Sequence, residues 1–495
     1  MPTTIEDLPE EMLVEIFSYL KFEECLTATT VCRLWSRLAL RWNELRVVLE
    51  FDKGTIYRAL LDSSRPYRHF FLCCALSCDH CDEPKDEPAQ ILAKFSSTIE
   101  TLEFSDPESL GDFAEFLAKL TTFCTNLKRL AIVWYGYGSP GFKYNFQPLN
   151  ELSDLYLGLI DENLLEIDFR KVTPNITNLY LRIDLYSKLS QQILQHFSPR
   201  LKELTVGFHA ADHLTTVYEM NFPLLKKLHF YGYGITLNHD WLLDLFTEFF
   251  RRCAKLESVT LQMNVNMQEL KSIAQFCCNL QSLCFGIAEL SEDCFRCLSE
   301  MRCLKCLRIE HTTIHAHDSK HSIRSFSKLQ MLTLYCVRVE NPTKFNTFLS
   351  TLCPALITLE LLKIQFNTQT LEIYKAICFN LLIKRLTIKE DSMKVNELSH
   401  FASLPQLREM RLDFYIFYGD NEGPYGTSLD SIRILKLNAD FNVTVLKLVP
   451  NLSQLYLKGP RSEETIQAVR KLLPHCAITF KKKLRIVESN DYFED

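Results

Sequence analysis

No stretch of this sequence approaches the ~18 consecutive apolar residues that a membrane-spanning helix needs. The opening residues, MPTTIEDLPE, are acidic and lack the apolar core of a secretory signal. A basic excess is missing too: 55 Lys and Arg stand against 61 Asp and Glu, a net charge of −6. Nucleic acid is therefore not expected as a partner, since its phosphates require concentrated positive charge. No paired nucleophile and base stand out, and the 13 histidines are scattered, so a non-catalytic chain without a cofactor or metal is expected. Cysteine is plentiful at 19, but the number is odd. Without a secretory route, reduced thiols in cytosol or nucleus are expected rather than disulfides. On the same ground, the glycosylation sequons at Asn175, Asn442 and Asn451 are read as chance matches. At 47% apolar and 23% charged residues, the chain has ample material for a packed core.

What fills the chain is a hexamer of the pattern apolar-x-x-apolar-x-apolar. It begins as IETLEF (99), LKRLAI (127), LSDLYL (152), ITNLYL (176) and LKELTV (201), and ends as LREMRL (407), IRILKL (432) and LSQLYL (452). Fifteen units recur at a mean spacing of about 25 residues. The fourth and sixth residues alternate inward, as in a short strand, while the third and fifth point out. Between hexamers lie stretches such as NMQELKSIAQFCCNL (266–280) and TKFNTFLSTLCPAL (343–356), whose apolar residues recur at three and four and mark helices with one buried face. A single unit cannot cover its own apolar side, so each must stack on its neighbours. This pattern resembles a leucine-rich-repeat protein. The expected fold is α/β: a horseshoe solenoid with parallel strands on its concave face and a small all-helical unit in front. YRHFFL at 67 reads as an earlier, degenerate unit, and SEETIQAVRKLL (462–473) with AITF (477–480) as a closing cap. The intervals 131–151 and 413–431 show no helical pattern, and FYGDNEGPYGTS in the second marks a loop, either a binding lip or a tolerated insertion.

Several motifs imitate chemistry. GYGSPG (136–141) matches G-x-G-x-x-G, but FKYNFQPLN follows, and Pro148 leaves no room for the helix that a dinucleotide site requires. CFRC (294–297) and CLKC (303–306) are separated by only five residues, far below the ~12–20 of zinc ribbons. CCALSCDHC (73–81) and HTTIHAHDSKH (311–321) are read as strand or loop segments rather than zinc sites. Cys124, Cys253, Cys277 and Cys353 each precede a hexamer by three residues, a slot for a small buried group. KKKLR (481–485), beside the acidic tail ESNDYFED, reads as a solvated charge run.

The first 45 residues stand apart. Asp7 is placed to cap a helix with Glu10 three residues on and Pro9 in its first turn. Met12, Leu13, Ile16, Phe17 and Leu20 then form an apolar stripe, and Val31, Trp35, Leu38 and Trp42 a second, with Arg33, Arg37 and Arg41 on another face. About 40 residues rarely fold unaided, so this surplus must meet either the repeats or another protein. LPEEMLVEIFSYLKFEECLTATTVCRLWSRLA (8–39) resembles an F-box. The residues carrying the resemblance are Leu8, Pro9, Ile16, Phe17, Leu20, Val31, Cys32, Arg33, Trp35, Leu38 and Ala39. The usual acidic-Leu pair is altered to Glu23, Glu24, Cys25, Leu26.

The resemblance implies the substrate-receptor subunit of a Skp–cullin–F-box ubiquitin ligase, with the F-box docking on the Skp adaptor through residues that include Leu26 and Trp35. The rival expectation is a repeat scaffold acting outside any ligase. The expected layout is an F-box over 1–45, a connecting segment over 46–98 with one or two degenerate repeats, repeats over 99–480 and a charged tail over 481–495. For the protein substrate, outward strand positions are expected to serve: Arg308, Arg385, Arg411 and Lys436 for an acidic or phosphorylated segment, Tyr156 and Tyr180 for apolar contact.

Overall fold

The computed structural model describes the chain apart from residues 1–4, 6–7, 19–26, 29, 40–45, 51–59, 64–66, 74–86, 106–112, 135–145, 160–167, 183–187, 209–212, 237–239, 315–323, 341–344, 346–348, 350–351, 367–376, 378–381, 419–426, 438–442, 459–461 and 482–495. Two compact units make up the chain, Met1–Leu225 and Lys226–Asp495.

The first unit opens with helices α1 (Glu10–Ser18) and α2 (Arg33–Ala39). Seven strands follow: β1 (Arg46–Glu50), β2 (His69–Cys73), β3 (Thr101–Ser105), β4 (Arg129–Trp134), β5 (Asp154–Leu159), β6 (Asn178–Arg182) and β7 (Glu203–Gly207). Each pairs with the next in parallel. Helices Glu87–Phe95, Phe113–Phe123, Phe169–Val172 and Lys188–Phe197 lie between them. The YRHFFL stretch is β2, and β1 precedes it, so strand pairing begins inside the segment read as a connection.

The second unit carries β8 (Lys227–Thr236), β9 (Ser258–Asn264), β10 (Ser282–Gly286), β12 (Cys306–Glu310), β14 (Met331–Tyr335), β16 (Thr358–Leu362), β18 (Arg385–Lys394), β19 (Glu409–Tyr418), β20 (Ile434–Leu437), β21 (Gln454–Lys458) and β22 (Ala477–Lys481), again parallel in succession. A second sheet runs beside it, built of the two-residue strands β11 (Glu289–Leu290), β13 (Thr313–Ile314), β15 (Arg338–Val339) and β17 (Gln365–Phe366). Helix Glu463–Leu472, capped by the Ser462 hydroxyl accepting from the Thr465 N–H, leads into β22 and closes the unit.

The hexamer explains this register. All fifteen strands within the repeats begin two residues after a hexamer's first residue. The first, fourth and sixth residues of every hexamer are buried, as in Leu201, Leu204 and Val206 or Leu256, Val259 and Leu261. The second residue's carbonyl then stitches one unit to the next: Lys226 O accepts from Glu257 N at 2.8 Å and Ser258 N at 3.0 Å. Gln281 O does the same for Lys305 N and Cys306 N. Repeats stacked this way cover one another's leucine rows.

The cysteine slot is a turn device. Each of Cys124, Cys253, Cys277 and Cys353 accepts on its carbonyl from the first hexamer residue, at 3.1–3.3 Å. Each side chain is buried, and burial pushes each thiol up to about 12. Cys284 and Cys306, on neighbouring strands, are both free thiols.

Three non-glycine residues adopt the left-handed region: His311 (φ 49°), Cys336 (φ 52°) and Lys363 (φ 54°). Each directly follows a main strand and lies two residues before β13, β15 or β17. Their N–H groups donate sideways, to Tyr335 O, Leu362 O and Lys389 O respectively. The turn therefore recurs because the next repeat supplies an acceptor that offsets the cost of about 1–3 kcal/mol for such a conformation.

Helix Met267–Phe276 begins with a capping box in which Asn266 accepts from the Glu269 N–H, while the Glu269 carboxylate accepts from the Asn266 N–H at 2.7 Å. Glu269 is 1% exposed, and burial raises its carboxyl from the usual 4.5 to about 7, against the Asn266 N–H, which favours the charged form. The folded chain thus holds a proton that the unfolded chain releases. The stabilisation is complete below about pH 4.5 and is lost as pH rises through about 7. The urea midpoint should fall between about pH 5 and about pH 8, and Glu269→Gln, which keeps an acceptor but no charge, should flatten that slope. Parallel profiles for the two proteins would refute the assignment.

Thiol labelling gives a second check. In the native chain the exposed Cys32 and Cys278 should alkylate rapidly, and the four slot cysteines only on unfolding. In denaturant without reductant all 19 should react. A pair that stays protected there would reveal a disulfide.

Candidate interaction surfaces

The N-terminal helices sort the apolar residues into an inside and an outside. Glu10 and Glu11 sit in the first turn of α1, where negative charge suits the helix dipole. The Pro9 carbonyl accepts from the Met12 and Leu13 N–H groups, so Pro9 stands just before the helix rather than within its first turn. Leu13, Phe17, Ala28, Leu38 and Ala39 form a buried core, with Leu8, Val14, Leu34 and Trp35 packed against it. The Phe17 and Trp35 rings meet edge to face, with centroids 5.2 Å apart and planes at 68°.

Two of the expected contact residues lie inside this core: Phe17 is 1% exposed and Leu38 fully buried, so both help to hold the unit together. Trp35 and Ile16 are half-buried. The surface is left to Pro9, Met12, Val31, Cys32 and Arg33, with Met12 at 53% and Val31 at 56% exposure. Together with Ile5 at 44% exposure, Met12 and Val31 are the exposed large apolar side chains of this helical unit among the described residues. The apolar stripe of the sequence places Met12 with Leu13 and Phe17, yet Met12 is exposed while those two are buried. Its 100° turn away from Leu13 was the available signal. Asp7, Leu20 and Leu26 lie outside the described residues.

On the outward strand positions of the first unit, Tyr156 and Tyr180 are opposite each other on β5 and β6 and stack at 3.9 Å with planes 9° apart. In the second unit the expected cations divide. The Arg308 Nε donates to Glu310 Oε1 at 2.6 Å, and its guanidinium lies over the Tyr335 ring. The Lys436 ammonium is bonded to Glu409 and lies over Tyr456. Arg385 and Arg411 are both exposed. They occupy adjacent strands, Arg385 opposite Glu409 and Arg411 between Thr387 and Lys436. The fifth-position column also holds Glu360, which accepts from the Thr333 hydroxyl. Carboxylates thus offset this face more than the hexamers show, because Glu310 lies one residue beyond the hexamer's end.

Among the described residues, no group of three or more His, Cys, Asp and Glu side chains is placed to hold a metal ion. Cys294 and Cys297 are buried in helix Glu292–Glu300, and Cys303 and Cys306 are half-buried in the turn and strand that follow. Residues 136–141, 74–81, 315–321 and 419–426, which hold the glycine motif, most of the two remaining cysteine and histidine clusters and the irregular loop, lie outside the described residues. No described helix is long and apolar enough to cross a membrane.

Residues 5–45 match the family model described as F-box-like. No curated protein matches the sequence. Among solved structures, the chain is similar to a TLR13–ssRNA13 complex, at 16% identity and a TM-score of 0.34, over 88% of this chain and 52% of that one. It is also similar to an internalin (inlF) of Listeria monocytogenes str. 4b F2365, at 13% identity and a TM-score of 0.31, over 89% and 99% of the two chains. An internalin C2 from the same strain gives 15% identity and a TM-score of 0.27 over 44% and 84%. Scores this low carry no weight beside the hexamer register itself. The chain thus carries an F-box-like segment over residues 5–45, followed by leucine-rich repeats whose fifteen hexamers form parallel strands with helices between them.

Proposed function

We propose that this protein is the substrate-recognition subunit of a Skp–cullin–F-box ubiquitin ligase. The reading rests on one observation above the others: the F-box-like unit has its own buried core and still exposes Met12 and Val31. Those side chains, with Pro9 and Cys32, are the contact residues proposed for the Skp adaptor, through which a cullin joins. The repeats hold the protein to be ubiquitinated, and the mechanism is proximity: tethering raises the effective concentration of substrate near a charged ubiquitin-conjugating enzyme. Tyr156 and Tyr180 offer a flat aromatic contact, and Arg385 with Arg411 a cationic one for an acidic or phosphorylated substrate segment.

Met12→Asp with Val31→Asp should weaken adaptor binding by ~2 kcal/mol or more while leaving the helices folded. Phe17→Ala should act differently, costing ~3–5 kcal/mol of stability in the helical unit and exposing α1 to hydrogen exchange. Pull-down of the full chain should recover adaptor and cullin together, and both should be lost on deletion of the F-box. Recovery of adaptor without cullin would replace the ligase reading by that of a scaffold. For the inner wall, Arg385→Glu with Arg411→Glu should abolish substrate capture, most clearly at low salt, with adaptor binding intact. Unchanged capture would remove these positions from the substrate face.

A further inference from the structure

One strongly charged feature borders the inner-wall arginines without including them. In the second unit, the turns that lead into strands β8, β9, β12, β14 and β18 carry Lys226, Lys255, Lys305, Lys328 and Lys384, all exposed. Two grooves run along this edge, one of about 500 Å³ and one of about 370 Å³, and they share Lys305 and Lys328. Among the described lining residues, five lysines face one carboxylate, Glu257, which pairs with Lys226 at 2.8 Å. The Lys305 ammonium donates to the neutral Gln281 side chain at 2.9 Å. Among the described residues, Lys255, Lys328 and Lys384 have no ion-pair partner. In a chain of net charge −6, composition does not account for such a strip.

The fold keeps the strip in line. Lys226, Lys305 and Lys384 are second residues of their hexamers, and their backbone groups belong to the inter-repeat ladder, as in Lys305 N to Gln281 O and Lys384 N to Ile357 O. Lys255 and Lys328 come from the residue just before a hexamer and fill the same edge. Six strand-to-strand steps separate the first lysine from the last, roughly 29 Å at ~4.8 Å per step, the length of an extended peptide of about nine residues.

We infer that this edge is a docking strip for an extended acidic segment of a partner polypeptide. Lysine ammoniums are strongly hydrated point charges on flexible stems, which suit successive Asp or Glu side chains without demanding one fixed geometry. The floor of the second groove is aliphatic, made by Ala355, Ile357 and the 42%-exposed Leu382. A polypeptide with apolar residues after its acidic run covers both parts. A nucleic acid strand would leave the aliphatic floor bare and, among the described lining residues, would find no aromatic ring on which to stack a base. The strip does not depend on the ligase reading, since neither the adaptor nor the inner-wall arginines take part.

The test uses the full chain and a fluorescein-labelled synthetic peptide, a run of glutamates ending in two leucines, followed by fluorescence anisotropy. Binding should weaken steeply as salt is raised. Lys305→Glu with Lys328→Glu should reduce affinity by about tenfold or more, since like charges then face each other. Lys305→Gln with Lys328→Gln should give an intermediate loss, and thermal melts of both variants should match the parent. Arg385→Glu with Arg411→Glu should bind the peptide as the parent does, and replacing the two leucines by serine should weaken it. Unchanged affinity in the Lys→Glu variant would overturn the inference, as would an equal loss in the arginine variant. A labelled single-stranded oligonucleotide that bound more tightly than the peptide, and lost that binding through the same lysine substitutions, would overturn it in favour of nucleic acid.

Discussion

Within each of the two units, the carbonyl of nearly every hexamer's second residue accepts two N–H groups from the following repeat, and most of what this chain displays depends on that lateral bond. Lys226 to Glu257 and Ser258, then Gln281 to Lys305 and Cys306, set consecutive strands in one register. Because the register repeats, residues separated by about 25 positions in sequence stand side by side. The buried rows and the outward columns are therefore two products of the same constraint. A slip of one residue would exchange them, exposing the leucines and burying the charges.

Much of this was legible in the sequence because burial leaves a periodic trace. The first, fourth and sixth hexamer residues are apolar in all fifteen units, and all are buried. The four cysteines three residues upstream were visible as a slot for the same reason, although their carbonyl's part in turning helix into strand was not. Other features leave no apolar period. The second sheet, built of two-residue strands, falls below the length at which alternation is readable. The left-handed residues are His, Cys and Lys rather than glycine or asparagine, so the usual signal of such a turn is missing.

Side-chain pairing across strands was the least legible part of the surfaces. Arg308 and Lys436 read as available cations, yet Glu310 and Glu409 answer them from positions that only the three-dimensional register brings close. The lysine edge was obscured in the opposite way. Its members come from two different positions relative to the hexamer, and neither column alone looks unusual. In the F-box-like unit, the motif gave no means of separating the residues that hold the helices together from those that face outward. Phe17 belongs to the first kind and Val31 to the second.

The three left-handed turns fasten neighbouring repeats to one another. At His311, Cys336 and Lys363 the strained residue's N–H reaches forward to a carbonyl of the following repeat, never back to the one before. Each of these N–H groups therefore depends on the repeat that comes later in the chain. Loss of β18 would take away the Lys389 acceptor of the Lys363 N–H, and the disturbance would pass next to Cys336 through Leu362. The residues just beyond the first two turns bond the other way, Thr313 N–H to Ala288 O and Arg338 N–H to Thr312 O. Each of those turns is thus clasped between the repeat before it and the repeat after it, and loses half of its grip when either neighbour goes.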